Sequence, residues 1–218
     1  MSEPLVSPRF IFRFSLPCRH KARLWMTKGA GLDESYRLVG LAELEHPGRV
    51  PDFRAAWSET GMAFSILVEG KQQPPWCRAM HVSESDGVQI WIDTRNVQNV
   101  HRASRFCHRL AFLPCGNAAR ASDPVAAVLP INRARELHGP IHDGQLKVVS
   151  QILADGYQLD AFVPAEALTG FNPEDHPAIG FNYAVFDREL GDHTLTAGGA
   201  MPYREDPSLW ATLELTAR

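Results

Sequence analysis

Residues 85–95 read S-D-G-V-Q-I-W-I-D-T-R, and the alternation inside this stretch restricts the fold more than any other feature of the chain. Val88, Ile90 and Ile92 alternate with Gln89, Trp91 and Asp93. Successive strand residues point to opposite faces, so a period of two with β-branched residues on one side predicts a strand lying on an apolar core. The other face then carries an amide, an indole and a carboxylate.

The same period recurs along the chain. Residues 9–16 set Phe10, Phe12, Phe14 and Leu16 against Ile11, Arg13 and Ser15, which predicts a first strand with its even positions inward. Residues 52–57 and 62–69 flank the turn Ser58-Glu59-Thr60-Gly61 and predict a hairpin. Residues 105–113 alternate again, with Phe106, His108, Leu110 and Phe112 on one side and Arg105, Cys107 and Arg109 on the other. Residues 145–152 and 157–163 pair through Ala154-Asp155-Gly156, and residues 179–187, 193–197 and 210–215 complete the expected strands. Pro164 to Leu168 reads as one helical turn opened by proline. Residues 21–51 and 115–143, rich in Gly, Pro or Ala, are expected to be a wrapping loop and a crossing between sheets. About ten short strands without a long amphipathic helix predict an all-β protein, a single antiparallel β-sandwich domain over residues 1–218 of jelly-roll or immunoglobulin-like type.

Composition narrows the function classes. With 44% hydrophobic and 22% charged residues the chain is an ordinary globular one, and no apolar run approaches a membrane span. A net charge of -3 with interspersed signs gives no field for a phosphate backbone, and the arginine-rich run 102–109 is expected to be a solvated face, so no nucleic-acid partner is expected. Charges at Glu3, Arg9 and Arg13 break the apolar N-terminus, which predicts a cytoplasmic protein, or a secreted one if this is a module excised from a longer chain. Cys18, Cys77, Cys107 and Cys115 show neither C-x-x-C pairing nor zinc-ligand spacing and are expected to be reduced thiols.

The common catalytic and nucleotide-binding signatures are absent. Cys107 and His108 are adjacent, but neighbouring strand residues face opposite ways and cannot act as nucleophile and base together. Asp187, Glu189, Asp192 and His193 could gather oxygen ligands for calcium or form a polar turn. Asp86 and Asp93 are a candidate acid and base for glycoside hydrolysis.

Four segments in order resemble the family 9 carbohydrate-binding modules and their relatives. They are S-D-G-V-Q-I-W-I-D ending at Asp93, G-Y-Q-L-D-A-F-V-P from Gly156, G-F-N-Y-A-V-F-D from Gly180, and D-P-S-L-W-A-T-L-E-L from Asp206. The resemblance implies a jelly-roll sandwich whose concave face holds a sugar between two indoles, helped by a carboxylate, an arginine and a glutamine. Position by position, the first indole corresponds to Trp76, and Gln89 stands at the carboxylate position without its charge. The arginine position falls near Cys107, between Arg105 and Arg109. Ala184 stands at the glutamine position, and the second indole falls near Tyr203. Relatives of the sandwich also bind haem through Met and His, which Met62, Met80 and Met201 leave open in the absence of a C-x-x-C-H site.

The expected ligand face therefore comprises Gln89 and Trp91 on the central strand, Arg105 and Arg109 on its neighbour and Asn182 beyond, rimmed by Trp76 and Tyr203. Guanidiniums, amides and aromatic rings suit a hydroxyl-rich or anionic ligand such as an acidic sugar. The competing expectation is that the loop 21–51 covers Trp91 and the arginines pair with nearby acids. The function expected is a noncatalytic module for a saccharide or another small polar molecule, without a cofactor. The alternatives are a glycoside-active enzyme, a haem-binding relative and a protein-interaction scaffold.

Overall fold

The computed structural model describes residues 13–40, 51–196, 198 and 201–217. Its strands are β1 (Ser15–His20), β2 (Asp52–Ser58), β3 (Gly61–Glu69), β4 (Gly87–Asp93), β5 (Cys107–Leu113), β6 (Val125–Val128), β7 (Lys147–Leu153), β8 (Gly156–Pro164), β9 (Ala178–Phe186), β10 (His193–Thr194) and β11 (Ala211–Thr216). The helical elements among the described residues are short 3-10 turns, and none is long and apolar enough to cross a membrane. The sheet runs β6-β5-β4-β9-β11-β1-β2-β3-β8-β7, with β10 paired to β9. Most pairs are antiparallel, but β1 runs parallel to both β11 and β2. The two expected sheets are thus halves of one path that doubles back on itself, and its end strands β6 and β7 approach each other.

The hairpins follow from local chemistry. Between β2 and β3, Ser58 Oγ accepts from Thr60 N and pairs with Thr60 Oγ1, which tightens the turn. Gly61 then leaves it at φ 138°, and a Cβ there would lie 2.1 Å from the Val163 carbonyl oxygen of β8. Only glycine meets both conditions. The helical turn expected at 164–168 is a 3-10 turn over Ala165–Ala167.

Odd and even positions sort as the alternation requires. Val88, Ile90 and Ile92 join Phe53, Phe64, Leu110, Phe112, Phe181 and Tyr183 in the core between the two halves. Phe53 stacks on Tyr183 at 3.9 Å between centroids and Phe64 on Phe181 at 5.9 Å, so aromatic pairs join the β2–β3 side to β9. Phe14 and Leu16 also pack on this core, whereas the expected strand positions 9–12 lie outside the described residues.

Each half also buries its outer face. On β2, β3 and β8, Leu24, Ala30 and Leu32 cover Ala56, Ala63 and Phe162. On β4, β5 and β9, Tyr203 and Trp210 cover Trp91, Cys107, Ala184 and Phe186. Several expectations change here. β5 starts at Cys107, so Arg105 lies in the turn before it; β6 arises inside the expected crossing; and β1 begins at Ser15. The described part of the loop 21–51 covers the face opposite Trp91 rather than Trp91 itself.

Candidate functional site

Across three strands of the outer face, register places Arg109 of β5, Trp91 of β4 and Asn182 of β9 side by side. One step along β4, Gln89 lies opposite Ala184. The Arg109 guanidinium donates from Nε at 3.1 Å and Nη2 at 2.7 Å to Gln89 Oε1, and from Nη1 at 3.2 Å to Pro130 O. It also lies 5.4 Å from the Trp91 ring, a cation–π distance. Burial, reinforced by the neighbouring Arg204 charge, lowers the Arg109 pKa from its ordinary value. Asn182 is 0% exposed and neither its amide nitrogen nor its amide oxygen has a hydrogen-bond partner. A buried amide left unpaired costs roughly 1–3 kcal/mol, so this group holds unused binding capacity inside the fold.

The segment 201–210 roofs the row. Tyr203 meets Trp91 edge-on at 5.4 Å, Trp91 Nε1 donates to Arg204 O, and Trp210 Nε1 donates to Tyr203 O. The D-P-S sequence explains the local turn: Asp206 Oδ1 accepts from Ser208 N, and Pro207 opens the 3-10 turn Pro207–Leu209. Trp91 is 0% exposed and Tyr203 2%, so the expected platform and its expected rim residue are packed together beneath the surface.

Trp76 stands in a neighbouring cluster with a different organiser. Asp86, just before β4, accepts from Trp76 N at 2.9 Å, Arg188 N at 3.0 Å and Lys71 Nζ at 3.4 Å. It therefore fixes both the loop carrying the indole and the loop carrying Arg188, whose guanidinium carbon lies 3.3 Å from the Trp76 ring centroid. Lys71 also donates to Asp187 Oδ2 and is 4% exposed. Burial opposes its charge, but the Asp187 hydrogen bond and the Asp187 and Asp86 charges prevail and hold its pKa above the ordinary lysine value. Nothing in the periodicity marks Lys71, which sits in a polar loop.

Of the seven expected site residues, Gln89, Trp91, Arg109, Asn182 and Tyr203 share the outer face. Trp76 is half-buried beside Arg188, while Arg105 is exposed and lies over the Phe106 ring. The arginine-rich run does not form one face, since Arg102 and Arg105 are exposed and Arg109 is buried.

The geometry also bears on catalysis and metals. Asp86 precedes β4 and Asp93 ends it, and seven steps of extended chain set them about 23 Å apart, far beyond the roughly 5–10 Å of a glycosidase pair. Asp93 instead accepts from Arg95 N and Val97 N. Cys107 joins the outer cluster while His108 Nε2 accepts from Thr169 N, so the two do not meet. Asp187 accepts from Lys71 and from Glu189 N and Leu190 N, Glu189 accepts from Gln72 N and Gln73 N, and Asp192 faces Arg204. These groups do not converge on a cation. Among the described residues no group of three or more His, Cys, Asp or Glu is placed to hold a metal ion. Met62 is buried in the central core and Met80 is exposed, so they do not share a haem face.

A scan against protein-family models finds no match, and a search of curated proteins finds no relative. Solved structures do match. A family 9 carbohydrate-binding module from Caldicellulosiruptor kristjanssonii in complex with cellotriose superposes with a TM-score of 0.59 at 12% identity, over 95% of this chain and 95% of that one. A family 9 module from the same organism in complex with glucose gives 0.60 at 11% identity, over 94% and 96%. An all-β path of this length and order, matched from end to end, gives this chain the fold of the family 9 carbohydrate-binding modules.

Proposed function

We propose that the protein is a noncatalytic carbohydrate-binding module whose saccharide ligand, hydroxyl-rich or acidic, is taken on the outer face of β4, β5 and β9. The observation that carries this reading is Asn182, a fully buried amide with both polar atoms unused, in register with Trp91 and Arg109. Structures that share the fold are complexes with cellotriose and glucose, which supports a sugar as the ligand class. Arg109, already holding Gln89 by two donors, supplies the charge that an acidic sugar would meet. Entry requires the Tyr203 roof to lift from Trp91, so binding should change the tryptophan emission.

Calorimetric titration with neutral cello-oligosaccharides and with uronic-acid oligosaccharides tests the reading, using Asn182→Leu as the comparison. Expected are saturable binding and an emission shift in the unaltered protein, both lost in the variant while it remains folded. A second reading, an interaction scaffold without sugar binding, is favoured by the 0% exposure of Trp91 beneath Tyr203. Silence across a glycan array together with a stable complex in pull-downs would select it.

A further inference from the structure

Cys77 and Cys115 are far apart in sequence, yet the fold brings them together where the Trp76 loop meets the end of β5. The two thiols interact, each shifting the titration of the other. The two segments touch through their backbones as well. Ala79 N donates to Gly116 O at 3.1 Å, and a Cβ on Gly116, which has φ 95°, would lie 2.8 Å from Cys77 Cβ. A glycine after Cys115 thus permits an approach that a side chain would prevent. The surroundings hold each sulfur in place: the Cys77 thiol donates to Asp86 O at 3.3 Å, and the Cys115 thiol donates to Pro75 O at 3.8 Å. Both residues are half-buried, in contrast to the buried Cys18 and Cys107.

We infer that Cys77 and Cys115 form a redox-active dithiol that closes to a disulfide, pinning the Trp76 loop to the end of β5. The oxidant is a low-molecular-weight disulfide such as oxidised glutathione. The Cys115 thiolate attacks one sulfur of that disulfide, forming a mixed disulfide and releasing one glutathione thiolate, which takes up a proton. Cys77, after losing its proton, attacks the Cys115 sulfur of the mixed disulfide, forms the Cys77–Cys115 bond and releases the second glutathione. Two protein thiols are oxidised and one disulfide is reduced to two thiols. The direction of attack follows from the pair: interaction with Cys77 lowers the Cys115 thiol from its ordinary value, while interaction with Cys115, together with desolvation, raises Cys77. Because Asp86 ties Cys77, Trp76 and Arg188 into one unit, the bond would fix the loop that carries the Trp76 indole. The inference does not depend on any ligand binding there.

The experiment equilibrates the intact protein in glutathione buffers from fully reduced to fully oxidised, alkylates the remaining thiols, and maps the linked peptides by mass spectrometry. Expected is the concerted loss of two of the four alkylatable thiols, recovery of a peptide pair joining Cys77 to Cys115, and a return to four on reduction. Cys77→Ser and Cys115→Ser should each leave one thiol of the pair, which takes up glutathione as a mixed disulfide and forms no internal bond. Four alkylatable thiols at every buffer ratio would overturn the inference, as would linkage through Cys18 or Cys107 or between chains.

Discussion

The two outer faces of this sandwich are both roofed, and the chemistry beneath the roofs differs. Over β2, β3 and β8, Leu24, Ala30 and Leu32 lie on Ala56, Ala63 and Phe162, and Asp160 beneath them accepts from Ala30 N and Ser65 Oγ. Over β4, β5 and β9, Tyr203 and Trp210 lie on Trp91 and Ala184, and beneath them Arg109 and Gln89 satisfy one another while Asn182 has no partner. The first roof uses its buried polar group to hold the covering loop down. The second leaves one unspent. Burying an unpaired amide costs free energy, so the contrast separates a face completed for stability from a face with hydrogen-bonding capacity reserved for something else.

The largest effect is expected where β4 begins and β9 ends, at Lys71. Lys71→Met removes the ammonium between Asp86 and Asp187 and leaves two buried carboxylates uncompensated, which should lower stability by about 4 kcal/mol in urea unfolding. A loss below about 1 kcal/mol would mean that the Trp76 and Arg188 loops are held by something other than this charge cluster.

His108 offers a second orphan, on the opposite side of β5 from the ligand face. Its Nε2 accepts from Thr169 N, so the ring is neutral with its proton on Nδ1, an atom without a partner. Burial, with a smaller contribution from His138, lowers its pKa to about 4. Between the unfolded value near 6.5 and that native value the unfolded chain binds more protons, so stability rises with pH through this window. The loss as pH falls from about 6.5 towards 4 amounts to roughly 3 kcal/mol from this residue. His108→Leu should flatten the slope of unfolding free energy between these limits, and an unchanged slope would assign the pH dependence elsewhere.

Asp160→Ala tests the first roof. It deprives Ala30 N and Ser65 Oγ of their acceptor and should cost about 2 kcal/mol, with faster hydrogen exchange across residues 24–36. The smallest effect belongs to the second roof. Asn182→Leu breaks no hydrogen bond, is close to shape-conserving and removes the unpaired amide, so stability should not fall and should rise by about 1 kcal/mol while oligosaccharide binding disappears. A loss as large as that of Asp160→Ala would erase the distinction between the faces.

Much of the fold was legible because it depends on local periodicity. The β2–β3 and β7–β8 hairpins, with turns at Glu59-Thr60 and Ala154-Asp155, lie where alternation and turn residues placed them. Val88, Ile90 and Ile92 face the central core as their spacing requires. β6 was not legible, since Val125–Val128 is four residues within a stretch rich in Ala and Pro, too short for a period to register. The parallel pairing of β1 with β11 and β2 joins segments distant in sequence, which no local pattern records.

The candidate site divides in the same way. Strand alternation by itself put Gln89 and Trp91 on one face and Arg109 beside them, because side-chain direction along a strand is fixed by the backbone. What covers that face was decided only by the tertiary structure. Polar residues at Gln89 and Asp93 read as an exposed side, yet every residue of β4 is buried, since Arg109 and the amides of Arg95 and Val97 satisfy them inside. Tyr203, far along the chain, supplies the roof over Trp91. Sequence determines which way a side chain points through the geometry of one strand, whereas its environment is set by whichever distant segment the folded-back sheet brings over it.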